Sequence, residues 1–205
     1  METKGWAVRE TVDRADTERR RQLLVAARTV FERKGFGTAT ISEITREADV
    51  SRATFYVYFA SKTQVFAVLA EQVRVDYLRA QELGDIDDDA VLEVLRATIG
   101  ATLDVTVNNL ALMTVLDHQA IADKDINQLW RGIRRQTVLR TARYLERCAD
   151  RGLASLDASA ETVAMMGAGM NDRFAPHVAE GVVERDYAVE QMLKVFLQVI
   201  GRTAD

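Results

Sequence analysis

Residues 40–62, with the sequence TISEITREADVSRATFYVYFASK, constrain the local fold of this 205-residue chain more than any other stretch. Thr40 and Glu43 stand at the spacing of a capping box, in which a hydroxyl and a carboxylate each bond a free amide at a helix start. From Ile41 to Ala48 the apolar residues recur at helical spacing. The pattern therefore predicts a short helix that begins after Thr40.

The residues that follow predict a tight turn and a second short helix. Asp49 and Val50 fit the turn, and Ser51 can cap the next helix. Phe55 and Phe59 are four residues apart, so they share one helix face and are predicted to be buried. Two short helices joined by such a turn are typical of a helix-turn-helix, in which the second helix enters the major groove of DNA.

Two further features agree with a DNA-binding N-terminal part. Ser61 and Gln64 form a second capping pattern, which puts Lys62 at a helix N-terminus that attracts anions. Residues 1–63 carry a net charge of +3 and residues 64–205 carry −7, which together give the net charge of −4. The basic excess therefore lies on the part of the chain that carries the motif.

The segment from about Arg20 to Phe66 resembles the N-terminal DNA-binding domain of the tetracycline-repressor (TetR) family. The matching residues are Leu24-x-x-Ala27-x-x-x-Phe31, Lys34-Gly35-Phe36, Thr38-Ala39-Thr40-Ile41, Ile44, Ala48, Val50-Ser51, Tyr56-x-x-Phe59 and Ser61-Lys62. Tyr58 departs from the family pattern, since many members carry histidine there. A tyrosine hydroxyl can still donate to a phosphate, so the departure is compatible with DNA binding.

The resemblance implies that the second helix of the motif reads DNA. Arg52 is predicted to contact a base, because its guanidinium matches the two acceptors of guanine, with a phosphate contact as the alternative. Ala53 and Thr54 are predicted to touch a thymine methyl or a base edge. The residues predicted to hold phosphates are Thr40, Ser51, Tyr56, Tyr58 and Lys62. Partial packing in the core is the alternative for Tyr56.

The chain as a whole is predicted to be all-α. A flexible tail at 1–16 is expected to precede a three-helix DNA-binding domain at 17–63 and a larger helical ligand-binding and dimerisation domain at 64–205. One proline and 11 glycines leave long stretches free to be helical. Helices are predicted over about 17–34, 62–83, 89–107, 110–122, 125–151, 158–174 and 186–201.

The last two predicted helices carry the surface expected to pair two copies of the chain. Small residues on the first of them allow close approach, and the second has a broad apolar face. The resemblance implies a homodimer through a four-helix bundle, which would match a palindromic operator. The predicted dimer residues are Met165, Gly169, Val189, Met192, Leu193, Phe196, Val199 and Ile200. The alternative is that these faces only cover the core of a single copy.

The middle helices are predicted to surround a pocket for a small-molecule effector of apolar or mixed character. Methionines and a tryptophan suit an adaptable apolar cavity, and charged or amide side chains can orient a polar group. The candidates are Met113, Leu116, Asp117, His118, Trp130, Arg134, Thr137, Met166, Met170, Asn171 and Phe174. Taken singly, each of these residues is better interpreted as an ordinary core or surface residue, and only the set as a whole predicts a pocket. The resemblance implies that the effector shifts the dimer between DNA-competent and incompetent states.

No residue pattern indicates an enzyme, a metal site or a cofactor. His118 and His177 lie far apart in sequence, and Gly35-x-Gly37 lacks the third glycine of a nucleotide-binding loop. Cys148 is the only cysteine, so no internal disulfide can form, which fits a reducing cytoplasm. We expect no membrane span, because no apolar run reaches the required length.

Three functional interpretations follow from the sequence. The leading one is a dimeric, ligand-responsive transcriptional regulator acting as a repressor. The alternative is a non-regulatory protein that organises DNA without a small-molecule ligand, and dependence of DNA affinity on a metabolite would separate the two. A helical enzyme with an accidental motif is the third, opposed by the lack of any acid, base and nucleophile set.

Overall fold

The computed structural model describes residues 18–82, 87 and 89–202. These residues form helices and no strand. In chain order the helices are α1 Glu18–Lys34, α2 Ile41–Glu47, α3 Arg52–Tyr58, α4 Lys62–Ala80, α5 Val91–Ala122, α6 Lys124–Asp150, α7 Ala160–Ala179 and α8 Arg185–Val199. The predicted all-α class is confirmed, whereas the tail predicted at 1–16 lies outside the described residues.

Helix α5 corrects one prediction, because it runs without a break through residues 107–110. The sequence predicts two helices there, at about 89–107 and 110–122. Asn109 explains the continuity: its Nδ2 donates to the carbonyl of Val105 at 2.9 Å, one turn earlier. The polar side chain is thus satisfied by its own helix and does not interrupt it.

Helix α5 also bears on the expected absence of a membrane span. Its 32 residues are long and apolar enough, by length and composition alone, to cross a bilayer. Val91, Leu95, Ile99 and Leu103 recur along one face and are buried in a core shared with other helices. The burial of this face identifies α5 as a core helix of a helical unit.

The chain divides into two compact units. Of the described residues, 18–71 and 114–129 form the first unit, and 72–113 and 130–202 form the second. Helices α4, α5 and α6 each contribute residues to both units. The domain boundary predicted between residues 63 and 64 remains a prediction.

Aromatic side chains make the core of the first unit. The ring of Phe66 lies 5.3 Å from that of Phe31 in an edge-to-face arrangement and 4.6 Å from that of Phe36. Gly35 joins α1 to this cluster in the left-handed conformation, with φ 78°, as its position after the first predicted helix indicates. These ring contacts join α1, the turn that follows it and α4.

The core of the second unit is built from α5 to α8. Val163 and Ala164 of α7 are buried together with Leu193 and Leu197 of α8. A Cβ built on Gly167 would lie 2.6 Å from the Phe196 ring, so this glycine permits the close approach of α7 and α8.

Candidate nucleic-acid interface and ligand pocket

The start of α2 is fixed by the capping box that the sequence predicts. The amide of Glu43 donates to Thr40 Oγ1 at 3.2 Å, and the amide of Thr40 donates to Glu43 Oε2 at 3.0 Å. Lys34 forms an ion pair with the same carboxylate. The hydrogen bond from Lys34, and then those from Thr40, lower the pKa of Glu43 from 4.5 to about 2. The carboxylate is thereby held ionised at the helix start.

The turn between α2 and α3 depends on Asp49 and Ser51. Asp49 has a φ of 50°, in the left-handed region that aspartate tolerates better than most residues. Ser51 Oγ accepts from the amide of Thr54 at 3.0 Å and lies 2.9 Å from its hydroxyl. Ser51 and Thr54, both predicted to contact DNA, are therefore engaged in the cap of α3.

Helix α3 has one buried and one exposed side, as predicted. Phe55 and Phe59 are 0% and 2% exposed, and their rings lie 5.8 Å apart. Arg52, Ala53 and Tyr56 are exposed on the remaining surface. Tyr56 packs its ring against Phe55 and is still 51% exposed. The partial packing is therefore present, and the phosphate contact remains a prediction.

Two exposed residues beside this surface, Val57 and Arg46, are not among the predicted DNA contacts. Val57 is 49% exposed on α3, although an apolar β-branched residue would by default be placed inside. Its position midway between Phe55 and Phe59, away from their face, was the available signal. Arg46 is exposed in the last turn of α2. Both are further candidates for DNA contact.

Lys62 is engaged by the backbone of its own unit. Its Nζ donates to the carbonyls of Phe36 at 2.6 Å and Ala39 at 2.8 Å. It also lies 4.4 Å from the centre of the Phe36 ring, and burial lowers the pKa of its ammonium group. The side chain thus ties the start of α4 to the α1–α2 turn.

The second unit contains a cavity of about 650 Å³. Its wall is mostly apolar and comes from α4 to α8. Of the predicted ligand residues, the structure brings five together on this wall: Met113, Arg134, Thr137, Met170 and Asn171. The cavity lies within the size range of small-molecule sites.

The other six predicted ligand residues do not line the cavity. Leu116, Asp117 and His118 belong to the first unit, with Leu116 buried and the other two exposed. Trp130 is buried under the Arg134 guanidinium, 5.5 Å from the ring centre, while Met166 is exposed and Phe174 packs against the core. Periodicity gives the face of a helix and leaves open which neighbours that face meets.

The cavity is also lined by polar residues that were not among the predicted ligand residues. Thr98 and Thr102 of α5 line it, as do Tyr77 near the end of α4 and Gln81 just after it. Thr98 and Thr102 stand four residues apart on a helix otherwise rich in apolar side chains. Such a stripe marks a face that is buried yet polar.

The dimer residues predicted on α8 need correction. Five of them are buried by the chain's own helices: Val189, Met192, Leu193, Phe196 and Ile200. They belong to the core cluster of the second unit, and two of the five, Met192 and Phe196, line the cavity. Val199 is half-buried, whereas Met165 and Gly169 of α7 are exposed.

Acidic, histidine and cysteine side chains do not gather into a metal site. Within the described part of the chain, no three or more of them stand together in a way that would hold an ion. The single cysteine, Cys148, is buried.

Comparisons with known proteins agree on one class of protein, bacterial transcriptional regulators. Residues 23–69 match the family model described as bacterial regulatory proteins, tetR family. The chain is 35% identical to the HTH-type transcriptional regulator YvdT of Bacillus subtilis over 77 residues, which are 36% of this chain and 40% of that protein. It is 28% identical to the regulator YfiR of the same organism over 165 residues, 76% of this chain and 77% of that protein.

A solved structure supports the fold over nearly the whole chain. A bacterial regulatory protein in the tetR family from Rhodococcus aligns with a TM-score of 0.78 at 20% identity, covering 93% of this chain and 100% of that one. These relatives are transcriptional regulators, and the prediction that the chain is not an enzyme is confirmed by them.

Proposed function

Because the chain belongs to the TetR family of DNA-binding transcriptional regulators, we propose that it is a ligand-responsive repressor that acts as a homodimer on a palindromic operator in the cytoplasm. One observation carries this proposal. Helix α3 buries Phe55 and Phe59 and turns Arg52, Ala53 and Tyr56 outward after a capped turn, as a recognition helix requires.

The contacts proposed for α3 follow from its exposed surface. Arg52 contacts a guanine, and Ala53 and the exposed Val57 touch thymine methyl groups. Thr40, Ser51, Tyr56 and Tyr58 position phosphates, and Thr54 reaches a base edge only if it leaves the cap with Ser51. The ammonium group of Lys62 acts by holding the α1–α2 turn, which orders the same surface.

The proposed dimer uses the exposed side of α7 and α8. Met165 and Tyr187 are each 59% exposed, and Val195 is 43% exposed. Tyr187 and Val195 are eight residues apart, so they project on the same side of α8. A two-fold dimer places its recognition helices on half-sites about 34–36 Å apart, or a multiple of that distance.

The cavity of the second unit favours ligand response over a purely architectural role. A volume of about 650 Å³ with both apolar and polar lining suits a small organic effector. Effector binding would release the operator if the cavity binds it more tightly in the DNA-incompetent state.

Selection of genomic fragments by the purified full-length protein tests the proposal. Enriched sites are scored for symmetry, and affinity is then measured across a salt series. One or a few palindromes, released when the matching effector is added, would support a ligand-responsive dimeric repressor. Salt-sensitive binding without any enriched sequence would favour a protein that only organises DNA. If protein stripped of small molecules bound no DNA at low salt, both the repressor and the DNA-organising interpretation would be contradicted.

A further inference from the structure

Asn171 of α7 presents an unpartnered acceptor to the cavity. The residue is 8% exposed, and its Nδ2 donates to Thr102 Oγ1 at 2.7 Å. The Thr102 hydroxyl donates to the carbonyl of Thr98 at 2.7 Å and accepts from Asn171. Oδ1 of Asn171 is therefore the atom left buried without a hydrogen-bond partner.

Gln81 repeats the arrangement at the end of α4. Its Nε2 donates to the carbonyl of Thr137 at 3.2 Å and to Thr141 Oγ1 at 3.1 Å. A backbone carbonyl can only accept, so the amide cannot be turned the other way. Oε1 of Gln81 is also buried without a partner, and both amides line the same cavity.

The polar part of the wall thus includes two acceptors without a partner. They are the amide oxygens of Asn171 and Gln81, whose N–H groups donate to the protein's own oxygens. A buried acceptor without a partner is unfavourable, and a ligand that donates to it removes the cost.

We infer that the cavity takes a neutral, largely apolar molecule that donates hydrogen bonds through hydroxyl or N–H groups to Asn171 and Gln81. The rest of the wall, which includes Leu95, Ile99 and Met192, holds the apolar body. A carboxylate offers only acceptors and cannot satisfy either amide oxygen. Three arginines also lie on the wall: Arg134 pairs with Asp172, Arg135 lies 3.9 Å from Glu161, and Arg131 is exposed. The inference names the effector class of the proposed regulator and rests on that function for its biological consequence only.

Matched ligand pairs test the inference on the unaltered full-length protein. Dodecanamide is compared with N,N-dimethyldodecanamide, and octylphenol with octylanisole, so that each pair differs in its donor; dodecanoate serves as the anion. Dissociation constants are measured by titration calorimetry. The donor of each pair is expected to bind at least about tenfold more tightly than its methylated partner and than dodecanoate. Equal binding within the pairs, preference for the methylated compounds or dodecanoate, or no binding by any probe would overturn the inference.

Two variants assign the preference to the named atoms. Asn171→Leu and Gln81→Leu each remove one acceptor, and the preference for the donor is expected to shrink toward equal affinity in each. Gln128→Leu makes the same chemical change at an exposed position outside the cavity and should keep the full preference. Should Asn171→Leu fail to fold after losing its bond to Thr102, the comparison of ligands on the unaltered protein still decides the inference.

Operator binding distinguishes failure of this inference from failure of the proposed function. Donor-selective binding without any change in operator affinity would support the ligand class and contradict ligand-responsive repression. Operator release by dodecanoate or a methylated probe would support ligand-responsive repression and contradict the ligand class.

Discussion

At the scale of single residues, the partners of a side chain decide its role more than its type does. Lys62 and Thr54 both suit contact with DNA, yet Lys62 bonds two carbonyls of the α1–α2 turn and Thr54 joins the cap of α3. Glu43 suits only a capping box, and it forms one. Residues whose predicted role is local are therefore the ones that sequence reasoning places best.

The low pKa of Glu43 predicts a specific dependence of stability on pH. The folded pKa of about 2 lies below the ordinary value of 4.5, so its contribution is complete above about pH 4.5 and is lost as the pH falls toward 2. Glu43→Gln should lower the urea midpoint at neutral pH and match the unaltered protein near pH 2. Glu146→Gln, at an exposed site of α6, serves as the control. A difference that persists unchanged to pH 2 would contradict the ionic origin.

Lys62→Ala is expected to destabilise the protein by about 1–3 kcal/mol, because charge-assisted bonds to the Phe36 and Ala39 carbonyls are lost. Urea unfolding measures this loss, with the exposed Lys194→Ala as control. The slope of operator affinity against salt should stay the same. A slope that flattens by about one unit would instead identify Lys62 as a phosphate contact.

At the scale of elements, caps and packed faces give each helix its orientation. Helix α3 exposes Arg52 because Phe55 and Phe59 are anchored on its other side. Arg52→Ala should relax preference at one base pair of the operator by about 1–3 kcal/mol. Competition binding with every single-base-pair variant of the operator measures this, with Arg143→Ala as an exposed control. A uniform loss over all variants would make Arg52 a phosphate contact.

Replacement by alanine is expected to have opposite effects on stability at two glycines, because only one of them lies where α7 packs closely on α8. Gly167→Ala places a methyl group against the Phe196 ring and should destabilise the second unit by about 1–3 kcal/mol. Gly132→Ala meets nothing within 4 Å and should raise stability by up to about 1 kcal/mol through helix propensity. Thermal or urea unfolding distinguishes the two, and a neutral Gly167→Ala would show that the ring yields freely.

At the scale of the whole molecule, the proposed dimer makes affinity for the operator depend on the α7–α8 surface. Val195→Arg should give a monomeric mass by sedimentation at micromolar concentration and weaken binding to the palindrome, because a charge is placed among exposed apolar side chains. Ile121→Arg makes the same change at an 85% exposed position of α5 and should remain a dimer. A monomeric mass for the unaltered protein would remove the dimer proposal.

The sequence by itself determined the features that depend on neighbours a few residues away. The Thr40–Glu43 box, the Ser51 cap and the burial of Phe55 and Phe59 follow from spacing along one helix, and so does the all-α class. Helix spacing shows that a face is apolar, and it does not show what covers that face. For this reason Leu193 and Phe196, predicted to meet a second copy, are covered by the chain's own helices. Only the tertiary structure brought Gln81 and Asn171, 90 residues apart in sequence, into one cavity, because that pairing depends on how distant helices pack.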